Sequence, residues 1–395
     1  MSKKKSLSTF LTGNKDNAIF LGMILLIGFI ARLLLFPIIS NDYNVFLLPW
    51  YETIKSNGGF RAVGMDIGDY MPTYYYVLAV LSYLPIEPID GIKLVSCIFD
   101  VLLAFYAGLI VYKITDSKAK FAIAFAAVFF LPTVILNSAA WAQCDTIFTT
   151  FLLMSIYYLI CGKDNKAIIF YAISFVFKIQ AIFLAPFLLV LLLKGKIRFR
   201  SLLMFPIVYV ISIIPAVIAG GNIFRLLTVY IRQSAQYSSL NMGIPNAWSL
   251  VAGVKSMPLG HAGIFLAGGA VLIAMYFIYI RKFELTPDII VVGSALFALI
   301  VPFVLPYMHE RYYYFADVMC LILVVIRPKK IWIFLALQFC SLQAICSYLF
   351  AKESLDMTLL AVIVTAALAG IIQLFFELTR NDKEKKPQKD LLLQK

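Results

Sequence analysis

Long apolar runs alternate with short polar segments along almost the whole chain. A helix of about 20 apolar residues spans the roughly 30 Å of hydrocarbon in a bilayer, so such runs predict membrane-spanning helices. The fold class predicted is therefore an all-α polytopic membrane protein. The predicted spans are 18–39, 89–113, 119–136, 146–161, 166–193, 199–219, 261–280, 286–305, 313–326, 331–350 and 356–379.

The run 166–193 has 28 residues, which is long for one span and short for two full ones. Lys163 and Lys166 precede it, and four basic residues beginning at Lys194 follow it. Because cytoplasmic loops are enriched in Lys and Arg, both ends are predicted to be cytoplasmic. The run is then two short helices that turn near Lys178. This gives about 12 membrane helices, within a range of about 11 to 13, with both termini in the cytoplasm.

The same charge rule decides the segment 72–84. If this segment crossed the membrane, Lys113, Lys118 and the 327–330 turn would lie outside. It is therefore predicted to be an interfacial helix in the first outer loop. The remaining assignments are outer segments at about 40–88, 137–145, 220–260 and 306–312, and a basic cytoplasmic tail at 380–395.

Composition narrows the class further. Only 14% of the residues are charged, mean hydropathy is +0.90, and no polar stretch is long enough for a soluble domain, so residues 1–395 are expected to form one transmembrane domain. The net charge of +13 does not indicate a nucleic-acid partner, because the basic residues punctuate apolar runs instead of forming a stripe. Six cysteines without CxxC or Cys/His spacing predict neither disulfides nor a zinc site.

Asp42 follows the first predicted span by a few residues. It should lie at the outer membrane boundary, where a substrate with a lipid tail and a wet head group could reach it. The alternative is a turn-forming aspartate in Asn-Asp-Tyr.

Two further positions carry charge near the membrane. Asp145 ends the outer segment Trp141-Ala-Gln-Cys-Asp145, and it is either an N-cap of the next helix or part of a site. Lys178, with Gln180 nearby, lies at the predicted turn of two short helices. Charge inside a membrane is costly and often functional, although a lysine that snorkels to the interface is the alternative.

The turn Met308-His-Glu-Arg311 places three ionisable residues in one short outer segment. The planar guanidinium of Arg311 matches a phosphate, and the alternative is an interfacial anchor. Asp100 and Asp317 fall inside spans and should face a polar interior, as helix-to-helix partners or as supports of a site. The aromatic and amide-rich outer segments suit a sugar.

These elements, in this order, resemble the GT-C superfamily of polyprenyl-phosphate-sugar glycosyltransferases over nearly the whole chain. The chain particularly resembles bacterial relatives of the second GPI mannosyltransferase and, more distantly, ALG-type glucosyltransferases. Family members often have Gly in place of Ala142 and two prolines in place of Met71-Pro72. The motifs are Asp42 with Trp50, Gly68-Asp-Tyr-Met-Pro72, Phe99-Asp100, Asn137-Ser-Ala-Ala-Trp-Ala-Gln-Cys-Asp145, Phe177-Lys-Ile-Gln-Ala181 before Pro186, Asn246-Ala-Trp248 and Met308-His-Glu-Arg-Tyr312.

The resemblance implies a GT-C fold in which Asp42 is the catalytic base. Arg311, His309 and Lys178 are then expected to bind the donor phosphate. One carboxylate suffices, because a polyprenyl phosphate leaves already stabilised, whereas a glycosidase needs a second carboxyl group as acid. Direct displacement inverts the anomeric centre. The residues expected to bind substrate or support the site are Asp145, Gln143, Trp141, Asp69, Tyr70, Gln180, Asn246, Trp248 and Glu310.

The expected partners are a polyprenyl-phosphate-linked hexose donor, a lipid-linked or wall glycan acceptor, and membrane lipid. No cofactor and no metal are expected, because the donor carries a single phosphate. The Lys, Ile and Phe-rich composition indicates a bacterial source. The charge-based topology places the expected active site on the outer face of the cell membrane. A lipid-linked oligosaccharide flippase or other transporter, and a polysaccharide polymerase, are the alternatives.

Overall fold

The computed structural model describes residues 15–234, 239–251, 254, 256–353 and 355–380, and these are mostly helical. The predicted cytoplasmic tail therefore lies, apart from Arg380, outside the described residues. The α-helices are α1 Lys15–Leu33, α2 Leu48–Ser56, α3 Pro72–Leu81, α4 Pro88–Thr115, α5 Lys118–Phe129, α6 Pro132–Ile135, α7 Asp145–Ile160, α8 Asp164–Phe177, α9 Ala185–Leu193, α10 Met204–Ile218, α11 Ile223–Leu227, α12 Val229–Ser234, α13 Met257–Ile280, α14 Pro287–Val304, α15 Tyr314–Ile326, α16 Ile331–Phe350 and α17 Met357–Thr379.

Several short helical turns connect these helices. The 3-10 turns are Gly59–Arg61, Ile179–Leu184, Phe199–Leu203, Ala247–Val251 and Pro328–Lys330, and the π-helical turns are Tyr43–Leu47 and Leu136–Ala140. Two short strands, β1 Asn241–Met242 and β2 Met308–His309, pair in parallel. This small pairing departs from the all-α prediction and joins two outer segments that are far apart in the chain.

By length and composition, six helices of the described region could cross a membrane. Lys118–Phe129 and Pro132–Ala140, bent by 47° where Pro132 interrupts the run, would make a seventh span together. The protein is therefore a helical, polytopic membrane protein, while about 12 spans remains a prediction. The six are Pro88–Thr115, Phe199–Ile218, Met257–Ile280, Pro287–Val304, Pro328–Phe350 and Met357–Thr379; shorter apolar helices are Leu21–Leu33, Asp145–Ile160, Ile179–Leu193 and Tyr314–Ile326.

The helix is interrupted at Lys178, as predicted, while the turn of two short helices back to the cytoplasmic side stays a prediction. Helix α8 ends at Phe177, Lys178 has an extended backbone, and a 3-10 turn leads into α9. Helix α3 has 10 residues, which at 1.5 Å per residue is about half the hydrocarbon thickness. Its length agrees with the prediction that this segment does not span the membrane.

The degree of burial separates central helices from peripheral ones. Of the 18 residues of α14, 78% are buried inside the protein, whereas an 18-residue apolar stretch is 17% buried in the Phe199–Ile218 span and 22% buried in α13. Large apolar side chains such as Ile218 and Phe265 are exposed on these peripheral helices. This pattern suits a bundle whose outer surface contacts lipid.

The six cysteines are free, and four of them are buried, as their apolar surroundings predict.

A buried ion pair ties α1 to α4. Arg32 and Asp100 are fully buried, and Arg32 Nε donates to Asp100 Oδ2 at 2.8 Å. Ser138 Oγ donates to the same oxygen at 2.6 Å. Asp317 likewise accepts a bond from Ser341 Oγ at 2.9 Å. Asp100 and Asp317 therefore act as helix-to-helix partners, which is one of the two roles left open by the sequence.

Helix α1 ends at Leu33, earlier than the predicted end at residue 39. Beyond it, the chain passes over the start of α4, where the buried Lys93 Nζ donates to the carbonyl oxygens of Phe36 at 2.8 Å and Ile38 at 2.5 Å. A cation that binds backbone carbonyls stabilises this non-helical course. The following residues, which include Asp42, are thereby fixed against the bundle.

Candidate functional site

A cavity of about 490 Å³ lies where the four segments predicted to be on the outer face and the end of α16 meet. Seven of the residues singled out from the sequence line it, and the structure thus brings together side chains from distant parts of the chain. The lining residues are Asp42, Phe46, Leu47, Trp50, Asp69, Tyr70, Gln143, Ser239, Asn241, Met242, Gly243, His309, Glu310, Arg311 and Tyr348.

The carboxylate of Asp42 is held by four donors. Its Oδ2 atom accepts from Gln143 Nε2 at 2.7 Å and Trp141 Nε1 at 3.1 Å, and Arg311 Nη1 lies at 3.5 Å. Its Oδ1 atom accepts from the hydroxyl of Tyr348. Because Oδ2 is crowded by three donors, Oδ1 is the oxygen with a lone pair free to accept a proton from a ligand in the cavity.

The backbone around Asp42 is irregular and firmly connected. A π-helical turn, Tyr43–Leu47, follows it directly, a type of turn that is frequent at functional sites. Ser40 Oγ donates to the carbonyl oxygen of Trp141 at 2.8 Å and accepts from the backbone N–H of Tyr43 at 3.2 Å. The loop that carries Asp42 is thus joined to the loop that supplies two of its donors.

Two non-glycine residues beside the site have left-handed backbone, Ala142 with φ 63° and Tyr307 with φ 63°. This conformation costs an L-residue about 1 to 2 kcal/mol. At Ala142 it turns the chain so that Trp141 and Gln143 can both donate to Asp42. It also gives a physical reason for the glycine common at this position in the resembled family.

Asp145 does not cap the following helix. Helix α7 begins at Asp145 itself, after Cys144, and no side chain caps its end, so the capping role considered from the sequence is wrong. The carboxylate instead accepts from Asn137 Nδ2 at 2.8 Å and pairs with the Lys178 ammonium. Arg311 Nε lies 3.5 Å from its Oδ2 atom.

Arg311 connects the carboxylates of the site. Its Nη1 atom lies 3.0 Å from Glu310 Oε1 and near Asp42, its Nε faces Asp145, and its guanidinium lies 5.3 Å from the Trp141 ring centre. Burial lowers the pKa of this guanidinium, but the surrounding carboxylates raise it more, so the group is charged. Among the described residues, Nη2 makes no hydrogen bond and is available to a ligand oxygen.

His309 and Glu310 complete the cluster. His309 Nδ1 lies 3.7 Å from Glu310 Oε2, and both side chains line the cavity. The turn that carries them is fixed by β2, in which Met308 and His309 pair with Asn241 and Met242.

Asp69 also lines the cavity, next to Tyr70 in the chain. Burial raises the pKa of Asp69, and a hydrogen bond from Gln233 opposes the shift without cancelling it.

Six of the predicted residues do not line the cavity. Trp141 and Asp145 contact the lining residues Asp42 and Arg311 from behind. The other four are Lys178, Gln180, Asn246 and Trp248.

Lys178 is buried and contacts the site through its ion pair with Asp145. Gln180 is buried in the 3-10 turn that follows Lys178. Asn246 Nδ2 donates to the carbonyl oxygens of Pro302 and Leu305, both at 3.1 Å. Trp248 Nε1 donates to that of Val304 at 2.9 Å. Asn246 and Trp248 thus anchor the 241–249 loop to the end of α14.

Tyr348 is the contact of Asp42 that the sequence did not indicate. It lies near the end of α16, and its ring stacks on Trp141 with centroids 5.0 Å apart. Tyrosines are common at the ends of membrane helices, so its position in the sequence carried no signal. The buried cations Arg32 and Lys93 were also missed, although the rule that charge inside an apolar run is functional or paired would have found them.

No three His, Cys, Asp or Glu side chains in the described parts of the chain are grouped closely enough to hold a metal ion.

Comparisons with known proteins add no further assignment. No protein-family model matches the chain, and no curated protein matches it in sequence. The fold and the site define a helical membrane protein with a polar, ion-paired cavity built around one carboxylate.

Proposed function

We propose that this protein is an inverting, GT-C-like glycosyltransferase of the cell membrane. It moves a hexose from a polyprenyl-phosphate donor to a cell-envelope glycan or glycolipid on the outer face. The observation that carries the proposal is the Asp42 carboxylate, which faces a cavity with the Arg311 guanidinium 3.5 Å away. A proton acceptor and a phosphate-matching cation in one cavity are the two groups that this reaction needs.

In the proposed reaction, an acceptor hydroxyl oxygen attacks the anomeric carbon of the donor hexose. Asp42 Oδ1 takes the hydroxyl proton, and the bond between the anomeric carbon and the phosphate oxygen breaks. The electron pair leaves with the polyprenyl phosphate, whose charge Arg311 stabilises with His309 nearby. Glu310 and Asp145 orient the guanidinium through their contacts with it.

A donor screen tests the proposal directly. Purified protein is incubated with polyprenyl-phosphate-linked glucose, mannose, galactose or N-acetylhexosamine and a crude envelope acceptor, and released polyprenyl phosphate is measured. Release with at least one donor, together with transfer of its sugar, is expected. Movement of an intact lipid-linked glycan across a vesicle membrane without bond cleavage would favour a flippase, and chain elongation between two lipid-linked glycans would favour a polymerase.

Tyr348→Phe should lower kcat about tenfold or more while leaving both KM values nearly unchanged. The hydroxyl of Tyr348 donates to Asp42 Oδ1, and a hydrogen bond to a charged group contributes about 1.5 to 3 kcal/mol. Steady-state kinetics with each substrate varied in turn measure the effect. The matched control is Tyr276→Phe on the exposed surface of α13, and a kcat like that of the wild type would contradict the role of Tyr348.

Transfer should continue in excess chelator. A single donor phosphate is compensated by Arg311, and metal-dependent sites usually provide several oxygen ligands for the ion. Turnover is measured in EDTA and again after addition of Mg²⁺ or Mn²⁺. Loss in chelator that either ion restores would show a metal requirement and would direct attention to Asp66 and Asp69.

A further inference from the structure

A second, more open groove of about 530 Å³ continues from the cavity. The two share Phe46, Trp50 and Asp69, so one ligand could extend from the first into the second. The groove has none of the residues that surround the Asp42 carboxylate. Its lining is Phe46, Trp50, Asp66, Ile67, Gly68, Asp69, Val229, Arg232 and Gln233.

Hydrogen-bond acceptors dominate the point where groove and cavity meet. The side chain of Gln233 hydrogen-bonds Asp69. A carboxylate only accepts, so the amide NH₂ group must face Asp69 and the amide carbonyl must point away. The buried Oε1 atom of Gln233 has no hydrogen-bond partner among the described residues. A ligand here must therefore supply N–H or O–H groups, because a buried acceptor without a partner is costly.

The groove also has an aromatic wall. The Trp50 ring centre lies 5.1 Å from that of Tyr70 and 6.0 Å from that of Phe46. Gly68 lies directly against Trp50, since a Cβ atom at this position would fall 2.4 Å from Trp50 Nε1. A pyranose has hydroxyls on its rim and C–H groups on its faces. Its hydroxyls can donate to the acceptor oxygens of the groove while its C–H groups contact the aromatic wall.

The two arginines near the groove are paired with an acidic side chain. Arg225 Nη1 lies 2.8 Å from Asp66 Oδ1, and Arg232 Nη1 lies 3.7 Å from Asp66 Oδ2. Asp66 offsets part of their charge, and Asp69 adds a further carboxyl group at the junction. The charge balance favours an uncharged ligand over an anionic one.

We propose that this groove is the acceptor subsite and that it binds the terminal sugar of the acceptor, an uncharged hexose whose hydroxyls donate to Asp69 and Gln233. The inference rests on the proposed function, since it divides the substrates between two connected spaces. The donor phosphate lies with Arg311, the acceptor sugar lies beyond Asp69, and Asp42 lies between them at the reacting hydroxyl.

Gln233→Met tests the subsite, because it removes the amide while keeping the length of the side chain. With the donor found in the screen, we expect the KM for the acceptor to rise about tenfold, since one hydrogen bond to the substrate is lost. The KM for the donor should not change. The control is Gln373→Met, an exposed glutamine of α17 far along the chain.

A binding measurement that needs no turnover accompanies the kinetics. Neutral trisaccharides of mannose and of glucose, and the same probes with a terminal uronic acid, are titrated calorimetrically into wild-type protein and Gln233→Met. We expect a neutral probe to bind the wild type, about tenfold more weakly to the variant, and more tightly than its acidic counterpart. Equal binding to both proteins, preference for the uronic acid, or binding of no neutral probe would overturn the subsite. Failure of every donor in the screen would count against the proposed function alone.

Discussion

Asp42→Asn should lower the rate of sugar transfer by roughly 100-fold or more, the usual contribution of a general base. The amide fits the site without rearrangement: its oxygen can take the place of Oδ2, which accepts from Gln143 and Trp141. Its NH₂ group then replaces Oδ1 and can donate to the oxygen of Tyr348. The variant therefore keeps the shape and the contacts of the loop but cannot accept the proton of the acceptor hydroxyl.

The measurement is the release of polyprenyl phosphate, alongside expression and thermal stability in detergent, which should stay near wild type. Asp90→Asn is the matched control, because Asp90 is exposed in the first turn of α4 and does not line the cavity. Retention of more than a tenth of wild-type turnover by Asp42→Asn would remove Asp42 as the base. A large fall in stability would instead assign it a structural role.

Arg311→Lys should raise the KM for the polyprenyl-phosphate donor and lower kcat, with little change in the KM for the acceptor. The guanidinium uses Nη1 and Nε toward Glu310, Asp42 and Asp145 while Nη2 remains available for a phosphate oxygen. A lysine ammonium is a point charge on a flexible stem and cannot make these contacts at once. Because negative charge develops on the leaving phosphate, the loss should extend to turnover.

Steady-state kinetics with each substrate varied in turn give the answer, with His309→Ala in parallel. Arg281→Lys is the control, an arginine at the end of α13 outside the cavity lining. If Arg311→Lys behaves like wild type, or if only the acceptor KM changes, the donor phosphate is bound elsewhere. The structure makes Lys178 a poor substitute, because Lys178 is buried against Asp145 and does not line the cavity.

Much of the helical framework was predictable because its cause is local. Apolar runs long enough to cross hydrocarbon predict helices wherever they occur, and the helices from α13 to α17 match the predicted runs within a few residues. The flanking lysines likewise indicated a break near Lys178, where α8 ends. The end of α1 was misplaced because Lys93, which binds the chain beyond it, is far away in sequence.

The candidate site was only partly predictable. Charged residues in the predicted outer segments indicated Asp42 and the His309 to Arg311 cluster, because charge beside a membrane has few structural reasons to be there. Local sequence suggested a capping role for Asp145, but the structure directs its carboxylate to Lys178 and Asn137. Which of these side chains would share a cavity was not encoded in any spacing.

The sequence by itself determined a membrane-embedded helical bundle with its unusual charged and amide residues gathered in the segments between the predicted spans. Only the tertiary structure decided which of them meet. Arg311 reaches Asp42 across 269 residues and Tyr348 reaches it across 306, so each contact depends on how distant helices pack. The same packing places Lys178 behind Asp145 and lets Asn246 and Trp248 hold the 241–249 loop against the end of α14. The role of each side chain depends on the neighbours that the folded chain brings into contact with it.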